Sequence, residues 1–282
     1  EVLKKLTANE KLIKVLSAQY GDYGLPPKQS SFAMHASVVR HYFDGGSFPV
    51  GGSSQIVKTI DPIIASAGGT ILVSAEVESI CIENSTAVGV RMKDGTLFRA
   101  KNIVSNAGIM TTYNSLLPTK TVKKHNLLNQ LKKVKRLVSH VSLYIGLDGS
   151  PEELGIPKFN YWVYPKEGDH DQCVKNYLND LSQPFPLVYL SFPSAKDPDW
   201  SNRYPGKSTI DVITLIPYDA FEEWADTPWK KRGKAYEAKK EYIAQRLLKE
   251  VYKQLPQVEG KISFYELSSP LSTQHFINYK KG

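Results

Sequence analysis

The chain has 282 residues with a formal net charge of +8, and 41% of its residues are hydrophobic. With a mean hydropathy of −0.32 it is expected to form a packed core, and no apolar run approaches the roughly 20 residues that cross a bilayer as a helix. The two cysteines, Cys81 and Cys173, lack the spacing of a metal or redox motif, which favours a reducing compartment.

Residues 1–50 are predicted to be helical. Apolar side chains recur at helical spacing over residues 3–20, and Pro26-Pro27 then interrupts the chain. Ser30-Ser31 can cap a second helix, which Gly45-Gly46 ends.

Residues 51–118 alternate between glycine-marked turns and apolar segments. Gly51 and Gly52 precede a predicted helix, and Gly68-Gly69 closes it. Residues 71–73 (Ile-Leu-Val) predict a buried strand. Further strands are expected around Val77, Ile80, Ile82, Val88 and Val90, with a hairpin turn at Asp94-Gly95. A last strand is expected at Ile103-Val104, followed by a small-residue turn at residues 105–108.

Residues 119–266 predict a different mixture of elements. A basic helix is expected over residues 119–136, followed by strands over residues 137–147, 160–164, 187–191 and 209–216. Residues 236–255 have the apolar stripe of an amphipathic helix, and residues 262–267 predict a short strand.

Several motifs in this order resemble one known family. They are Gly21-Asp22-Tyr23-Gly24-Leu25-Pro26-Pro27, Ser30-Ser31-Phe32-Ala33-Met34-His35-Ala36, His41-Tyr42-Phe43, residues 49–54, Val104 to Gly108, and Ser269-Pro270-Leu271-Ser272-Thr273-Gln274-His275-Phe276. Together they are similar to the amine-oxidase/phytoene-desaturase superfamily, and most of all to its branch of carotenoid isomerases and retinol saturases. The resemblance spans nearly the whole chain.

The resemblance implies an α/β fold of mixed α+β character. It implies a partial FAD/NAD(P)-binding domain of the amine-oxidase/phytoene-desaturase type and a mixed-sheet substrate domain with helices. We assign residues 1–50 to the helical part of the substrate domain, 51–118 to the FAD-binding domain, 119–266 to the substrate domain and 267–282 to a segment that returns to the FAD domain.

The family's G-x-G-x-x-G fingerprint and its C-terminal flavin segment are missing from the sequence. We therefore expect an internal fragment of a larger flavoprotein, which by itself is inactive and colourless. Apolar surface that such a fragment leaves uncovered would favour a dimer.

The resemblance also implies particular site residues. Val77 would offer backbone groups to the adenine of FAD, and Ser105, Asn106, Ala107 and Gly108 would let the backbone approach its ribose or pyrophosphate. Gly51 and Gly52 would lie at the cofactor, and Phe48, Pro49 and His275 near the substrate. A strand valine, a tight turn and a packed helix entry are the structural alternatives. No catalytic residue and no metal site are predicted.

The basic excess is concentrated in residues 120–136 and 230–253. A solvated helix face explains such a pattern, and so does peripheral contact with an anionic membrane. Nucleic-acid binding is not expected, since no motif of the usual modules occurs. The predicted location is cytoplasmic or peripheral to a membrane.

The predicted function is that of an FAD-dependent oxidoreductase, with NAD(P) as a further cofactor to consider. Its lipid-like substrate would be a carotenoid or retinoid-like conjugated isoprenoid, changed by saturation, desaturation or isomerisation. Two alternatives remain open. One is a non-catalytic binder of prenylated proteins, like GDP-dissociation inhibitors and Rab escort proteins, and the other is a flavin amine oxidase.

Overall fold

A computed structural model describes residues 1–132, 138–279 and 281. In this part of the chain the helices are α1 (Val2–Leu6), α2 (Glu10–Leu16), α3 (Phe32–His41), α4 (Ser54–Ser66), α5 (Ile109–Thr111), α6 (Thr119–Lys124), α7 (Leu127–Leu131), α8 (His170–Asn179), α9 (Pro193–Lys196), α10 (Trp200–Arg203), α11 (Lys234–Gln254) and α12 (Pro270–Ile277). The strands are β1 (Val77–Glu83), β2 (Thr86–Met92), β3 (Leu97–Arg99), β4 (Ser139–Asp148), β5 (Tyr161–Val163), β6 (Val188–Ser191), β7 (Lys207–Ile216) and β8 (Ile262–Ser268). Short 3₁₀ turns lie at Ala18–Tyr23, Pro27–Gln29, Tyr218–Trp224 and Pro256–Val258, and a π-helical turn at Thr112–Leu116.

The chain divides into two compact units. The first comprises Glu1–Val57 and Leu137–Ser272, and the second Lys58–Arg136 and Thr273–Gly282. The predicted boundaries after residues 50, 118 and 266 lie 7, 18 and 6 residues before these divisions. The assignment of the segments to cofactor and substrate domains stays a prediction.

The first unit is built on a five-stranded sheet in the order β5-β6-β7-β4-β8. Alternate residues of β7, among them Ile210, Val212 and Ile216, are fully buried in a core that includes Leu247 and Val251 of α11. The predicted amphipathic stripe of this helix is therefore confirmed, and burial of its apolar face stabilises the unit.

The opposite surface of this sheet is more open. Tyr189 pairs with Ile213, and Asp211 lies between Ser191 and Tyr144 on the neighbouring strands. These side chains share one face because cross-strand partners point the same way. We call these five residues the open face; Tyr144 is 49% exposed, and the others are half-buried.

The fold class is confirmed, but the expectation of a mixed sheet in this unit is wrong. Each strand pairing of the described sheet is antiparallel. The β4–β7 ladder pairs ten residues on each strand in continuous register, so alternation of buried and open residues is preserved along the whole strand.

The second unit contains the antiparallel meander β1-β2-β3. Its turn at Asp94-Gly95 is confirmed: Gly95 has a φ of 88°, and the Asp94 carboxylate accepts the N–H of Thr96 at 2.9 Å. The predicted basic helix is divided into α6 and α7, because Asn126 adopts a φ of 52° that ends the first of them. Residues 133–136 of that prediction, and residue 137 of the strand predicted after it, lie outside the described residues.

Two expected strands of this unit do not form. Residues 71–73 and Ile103-Val104 are irregular, and Val73 and Val104 are 85% and 93% exposed. A β-branched run makes a strand only where a neighbouring strand accepts its hydrogen bonds. Among the described residues no strand pairs with either segment.

Candidate functional site: a glycine loop and an open sheet face

Residues 48–54, which we call the glycine loop, depend on two consecutive glycines. Gly51 and Gly52 have φ values of 88° and 86°, which side chains with a Cβ rarely adopt. The Gly52 N–H donates to the carbonyl of Pro49 at 3.0 Å and closes the turn before α4. The sequence interpretation of Gly51 and Gly52 as a helix entry is confirmed, and Phe48 and Pro49 lie half-buried at its start.

The loop is held by a buried carboxylate that follows α9. Asp197 Oδ1 accepts the N–H of Gly51 at 2.9 Å and that of Asp199 at 3.0 Å, while Oδ2 pairs with the Arg203 guanidinium. The Asp197 side chain is only 1% exposed. Burial alone would raise its pKa, but the donors from Gly51, Asp199 and Arg203 hold the pKa of Asp197 below its usual value.

Arg203 completes this clamp from α10. Its guanidinium also pairs with Asp199 at 3.1 Å and lies over the rings of Trp200 and Tyr204 at 5.7 and 5.1 Å. A Cβ at Gly52 would lie 4.0 Å from Arg203. The glycine loop is therefore positioned by Asp197 and Arg203.

Lys196, the residue before Asp197, contacts the sheet and not the glycine loop. The ammonium of Lys196 donates to the hydroxyl of Ser191 at 3.0 Å and to the side-chain oxygen of Asn160. Burial lowers the pKa of Lys196. Two adjacent side chains at the end of α9 thus anchor the glycine loop and the open face.

Asp211 is the carboxylate of the open face. Burial raises its pKa, and the nearby Lys196 charge offsets this only in part. A carboxyl group in this environment can carry a proton at a higher pH than an exposed aspartate.

The second unit contains the other predicted cofactor residues. Val77 begins β1 opposite Met92. Ser105, Asn106 and Ala107 are exposed, and Gly108 caps α5 with a φ of 79°. The Ser105 and Thr112 hydroxyls lie 2.7 Å apart, and Thr112 donates to the Gly108 carbonyl at 2.8 Å.

Residues 105–108 could hold a dinucleotide through their backbone. Their side chains are small, their backbone is accessible, and a Cβ at Gly108 would come within 3.4 Å of the Tyr279 ring. The absence of a Cβ at Gly108 is what close backbone approach of a ribose or phosphate would require. His275 lies in α12, where its ring is 5.0 Å from that of Phe276.

The predicted site residues thus fall into two groups. Phe48, Pro49, Gly51 and Gly52 are together in the glycine loop of the first unit; Val77, residues 105–108 and His275 belong to the second. Sequence reasoning missed Asp197, Arg203, Lys196 and Asp211. A usable signal existed for Asp211, because it interrupts the apolar run Ile210-Asp211-Val212-Ile213.

A cavity of about 800 Å³ lies elsewhere in the first unit, between α1–α3 and residues 166–171. Its wall includes Lys14, Lys28, Asp169 and Asp171. Apolar side chains such as Phe32 line the same cavity, so its wall offers both charged and apolar surface.

Neither a metal cluster nor a membrane-spanning helix occurs in the described part of the chain. No three His, Cys, Asp or Glu side chains converge there as a metal site would require. No helix within it is long and apolar enough to cross a bilayer.

The chain is similar in sequence to known reductases and isomerases. All-trans-retinol 13,14-reductases of Danio rerio and Homo sapiens are each 37% identical over alignments of 290 positions that cover 100% of this chain. Prolycopene isomerase of Arabidopsis thaliana is 31% identical and covers 88% of it. The chain belongs to the family of these reductases and isomerases. No family model matches it.

The chain spans about half the length of the family members that it matches, 48% and 47% of the two reductases and 39% of the isomerase. An oxidoreductase structure from Methanosarcina mazei superposes with a TM-score of 0.60 over 95% of this chain and 55% of that one. At 16% identity this likeness supports the fold class alone.

Proposed function

We propose that this chain forms part of an FAD-dependent oxidoreductase that acts on a conjugated isoprenoid, with saturation of a double bond as the favoured reaction. The observation that carries the proposal is the 37% identity to all-trans-retinol 13,14-reductases over the entire chain. A Danio rerio relative named an inactive all-trans-retinol 13,14-reductase is 33% identical, so activity has to be measured and not inferred.

FAD would be held mainly through backbone groups. In the second unit, Val77 and residues 105–108 would contact its adenine, ribose and pyrophosphate. In the first unit, Gly51 and Gly52 are proposed as cofactor residues because they carry no Cβ. When bound, the flavin supplies two-electron chemistry, while the protein supplies orientation and an apolar environment. NAD(P) is proposed as a source of electrons only.

Substrate-binding residues are proposed in each unit separately: Phe48 and Pro49 in the first, and His275 in the second. Phe48 and Pro49 offer apolar surface, and His275 offers a polar group for the end of an otherwise hydrocarbon chain. The Asp197–Arg203 clamp holds the backbone of the glycine loop, which carries Phe48 and Pro49. The movement of these two side chains is therefore limited.

The proposal is tested on the natural gene product that contains this sequence. Flavin content and conversion of all-trans-retinol and of carotenoid precursors are measured together for the wild type and for G108V. The expected result is stoichiometric FAD and a changed polyene in the wild type, with weakened FAD binding in the variant.

The matched control is G95V. Gly95 also has a positive φ and lies in the same unit, but no atom lies within 4 Å of its would-be Cβ. Both variants strain the backbone, and the new side chain in G108V also meets the Tyr279 ring, so flavin content is compared per folded protein, with the folded fraction measured by circular dichroism. Equal flavin retention by the two variants would overturn the assignment of this turn.

Two further measurements on the same protein, binding of a prenylated GTPase and oxidation of a soluble amine, separate the alternatives. Tight binding of a prenylated GTPase without flavin would favour an escort-like binder, and oxidation of a soluble amine would favour an amine oxidase. The relatives described above are reductases and isomerases, which supports an enzyme acting on a lipid.

Two further parts of this proposal concern partners. A net charge of +8, with exposed Lys123 and Lys124 at the end of α6, supports peripheral contact with an anionic membrane from the cytoplasmic side. Exposed apolar side chains such as Val73 and Val104 support self-association through residues 51–118.

A further inference from the structure

Asp211 occupies an unusual position in a central strand. Its neighbours Ile210 and Val212 are fully buried on the opposite face of β7, whereas Asp211 lies on the open face. Its Cα partners are Ser191 on β6 and Tyr144 on β4. One carboxyl group is thus set among aromatic and apolar groups, including Tyr144, Tyr189 and Ile213.

The Asp211 carboxyl receives no structural hydrogen bond from the described residues. The groups that face it from the elements packed against β7 are Lys196 of α9, Tyr189 of β6 and Tyr144 of β4. Lys196 is instead engaged by Ser191 and Asn160 and makes no ion pair with Asp211 within the described chain. Burial without hydrogen-bond donors stabilises the protonated form of this carboxyl relative to that of an exposed aspartate, and the protonated form is a proton donor.

Saturation of a carbon–carbon double bond needs a hydride and a proton. The proposed function supplies the hydride through a reduced flavin but leaves the source of the proton open. A hydrocarbon segment carries no ionisable group, so the proton has to come from water or from an acid of the protein, and a positioned acid is the faster source.

We propose that Asp211 is this proton donor, an inference that rests on the proposed function. The π electrons of the double bond take the proton from the Asp211 carboxyl oxygen, which leaves a carboxylate and a carbocation spread over the conjugated chain. The hydride, with its electron pair, adds to the cationic carbon. The nearby Lys196 ammonium stabilises the carboxylate until water returns a proton to it.

The experiment compares the natural gene product with its variants D211N, D211E and D148N. Asp148 is the matched control, because it lies at the exposed end of the adjacent strand β4 and pairs with Lys207. For each protein, FAD content, binding of the polyene and the anaerobic rate of polyene reduction are measured. Infrared difference spectra between low and high pH monitor a protonated buried carboxyl independently of turnover.

We expect D211N to bind FAD and polyene normally but to reduce the polyene about 10²- to 10⁴-fold more slowly, the range typical of a lost general acid. D211E should recover part of the rate. In the wild type, activity should be present at low pH and fall as pH rises through the raised pKa of Asp211. D211N should lose this dependence together with the infrared carboxyl signal, and D148N should behave as the wild type.

Three outcomes would overturn the role of Asp211. They are an unchanged rate in D211N, a rate that falls only in proportion to lost FAD, and an equal loss in D148N. A wild type that binds FAD but reduces no polyene would instead overturn the proposed function, and the role of Asp211 with it.

Discussion

The carboxylate of Asp197 accepts the backbone N–H of Gly51 at 2.9 Å, although the two residues are 146 positions apart in sequence. This contact connects the glycine loop to the segment between β6 and β7. It also explains how a loop with two left-handed residues is held in one conformation, because its N–H group has a buried and charged acceptor.

Replacement of Asp197 by alanine is expected to destabilise the first unit by about 3 kcal/mol, the low end for breaking a buried ion pair, since Arg203 is 33% exposed. The variant leaves the Gly51 N–H and the Arg203 guanidinium without their shared acceptor. Urea unfolding of wild type and D197A measures the difference.

The control for this prediction is D199N. Asp199 also pairs with Arg203, but its side chain is 38% exposed, so its loss should cost at most about 1 kcal/mol. A D197A variant that is no less stable than D199N would show that the clamp contributes little.

Acid should weaken the same clamp. The folded-state pKa of Asp197 lies below the ordinary value of 3.8, so its carboxylate stabilises the fold above that value and the contribution disappears as pH falls towards the lowered pKa. We expect the stability difference between wild type and D197N to be constant near neutral pH and to shrink in this acidic window. Urea unfolding at several values from about pH 7 to about pH 3 tests this; a difference independent of pH would contradict it.

Gly89 is expected to tolerate no side chain. It lies in β2 opposite Arg99, and a Cβ there would stand 2.2 Å from the carbonyl oxygen of Phe98. G89A should destabilise the meander by about 1–3 kcal/mol, as overpacking does. Hydrogen exchange of the β2 and β3 amides measures the effect locally.

For comparison, G46A places the same methyl group where no atom lies within 4 Å. Its effect should be neutral or stabilising by about 0.5 kcal/mol. Equal exchange rates of the meander amides in G89A and the wild type would show that the β2–β3 pairing has room to adjust.

Charge reversal at Lys123 and Lys124 is expected to weaken binding to vesicles that contain phosphatidylserine. Each lysine near an anionic surface contributes about 1 kcal/mol. The control K101E/K158E changes the net charge equally at two other exposed lysines. Sedimentation with vesicles distinguishes a local docking surface, for which only K123E/K124E loses binding, from a general effect of net charge, for which both do.

Sequence periodicity predicted most elements of the first unit. The alternation in β7 and the stripe of α11 arise from burial on one side, and burial dominates the choice of residue at such positions. Residues 71–73 show where this reasoning fails. Their apolar, β-branched side chains are typical of a strand. A strand also needs a partner segment to pair with, and a local sequence pattern does not show whether one is present.

Only some residues of the candidate site could be predicted from the sequence, for a related reason. Glycines that need a positive φ are visible as residue types, so Gly51, Gly52 and Gly108 could be singled out. The partner of Gly51 could not, because an aspartate in the polar segment Asp197-Pro198-Asp199-Trp200 has the composition of an ordinary loop. Only the fold shows that one of its two aspartates is buried and the other is not.

The order of Lys196 and Asp197 at the end of α9 has an evolutionary consequence. One peptide bond separates the side chain that reaches Ser191 from the one that holds Gly51. A residue inserted or deleted in the short connection after β6 would shift both anchors together, and no compensating substitution at either partner could restore the pair. Length variation among homologues should therefore be tolerated in the segment between α8 and β6 and be rare between residues 192 and 197.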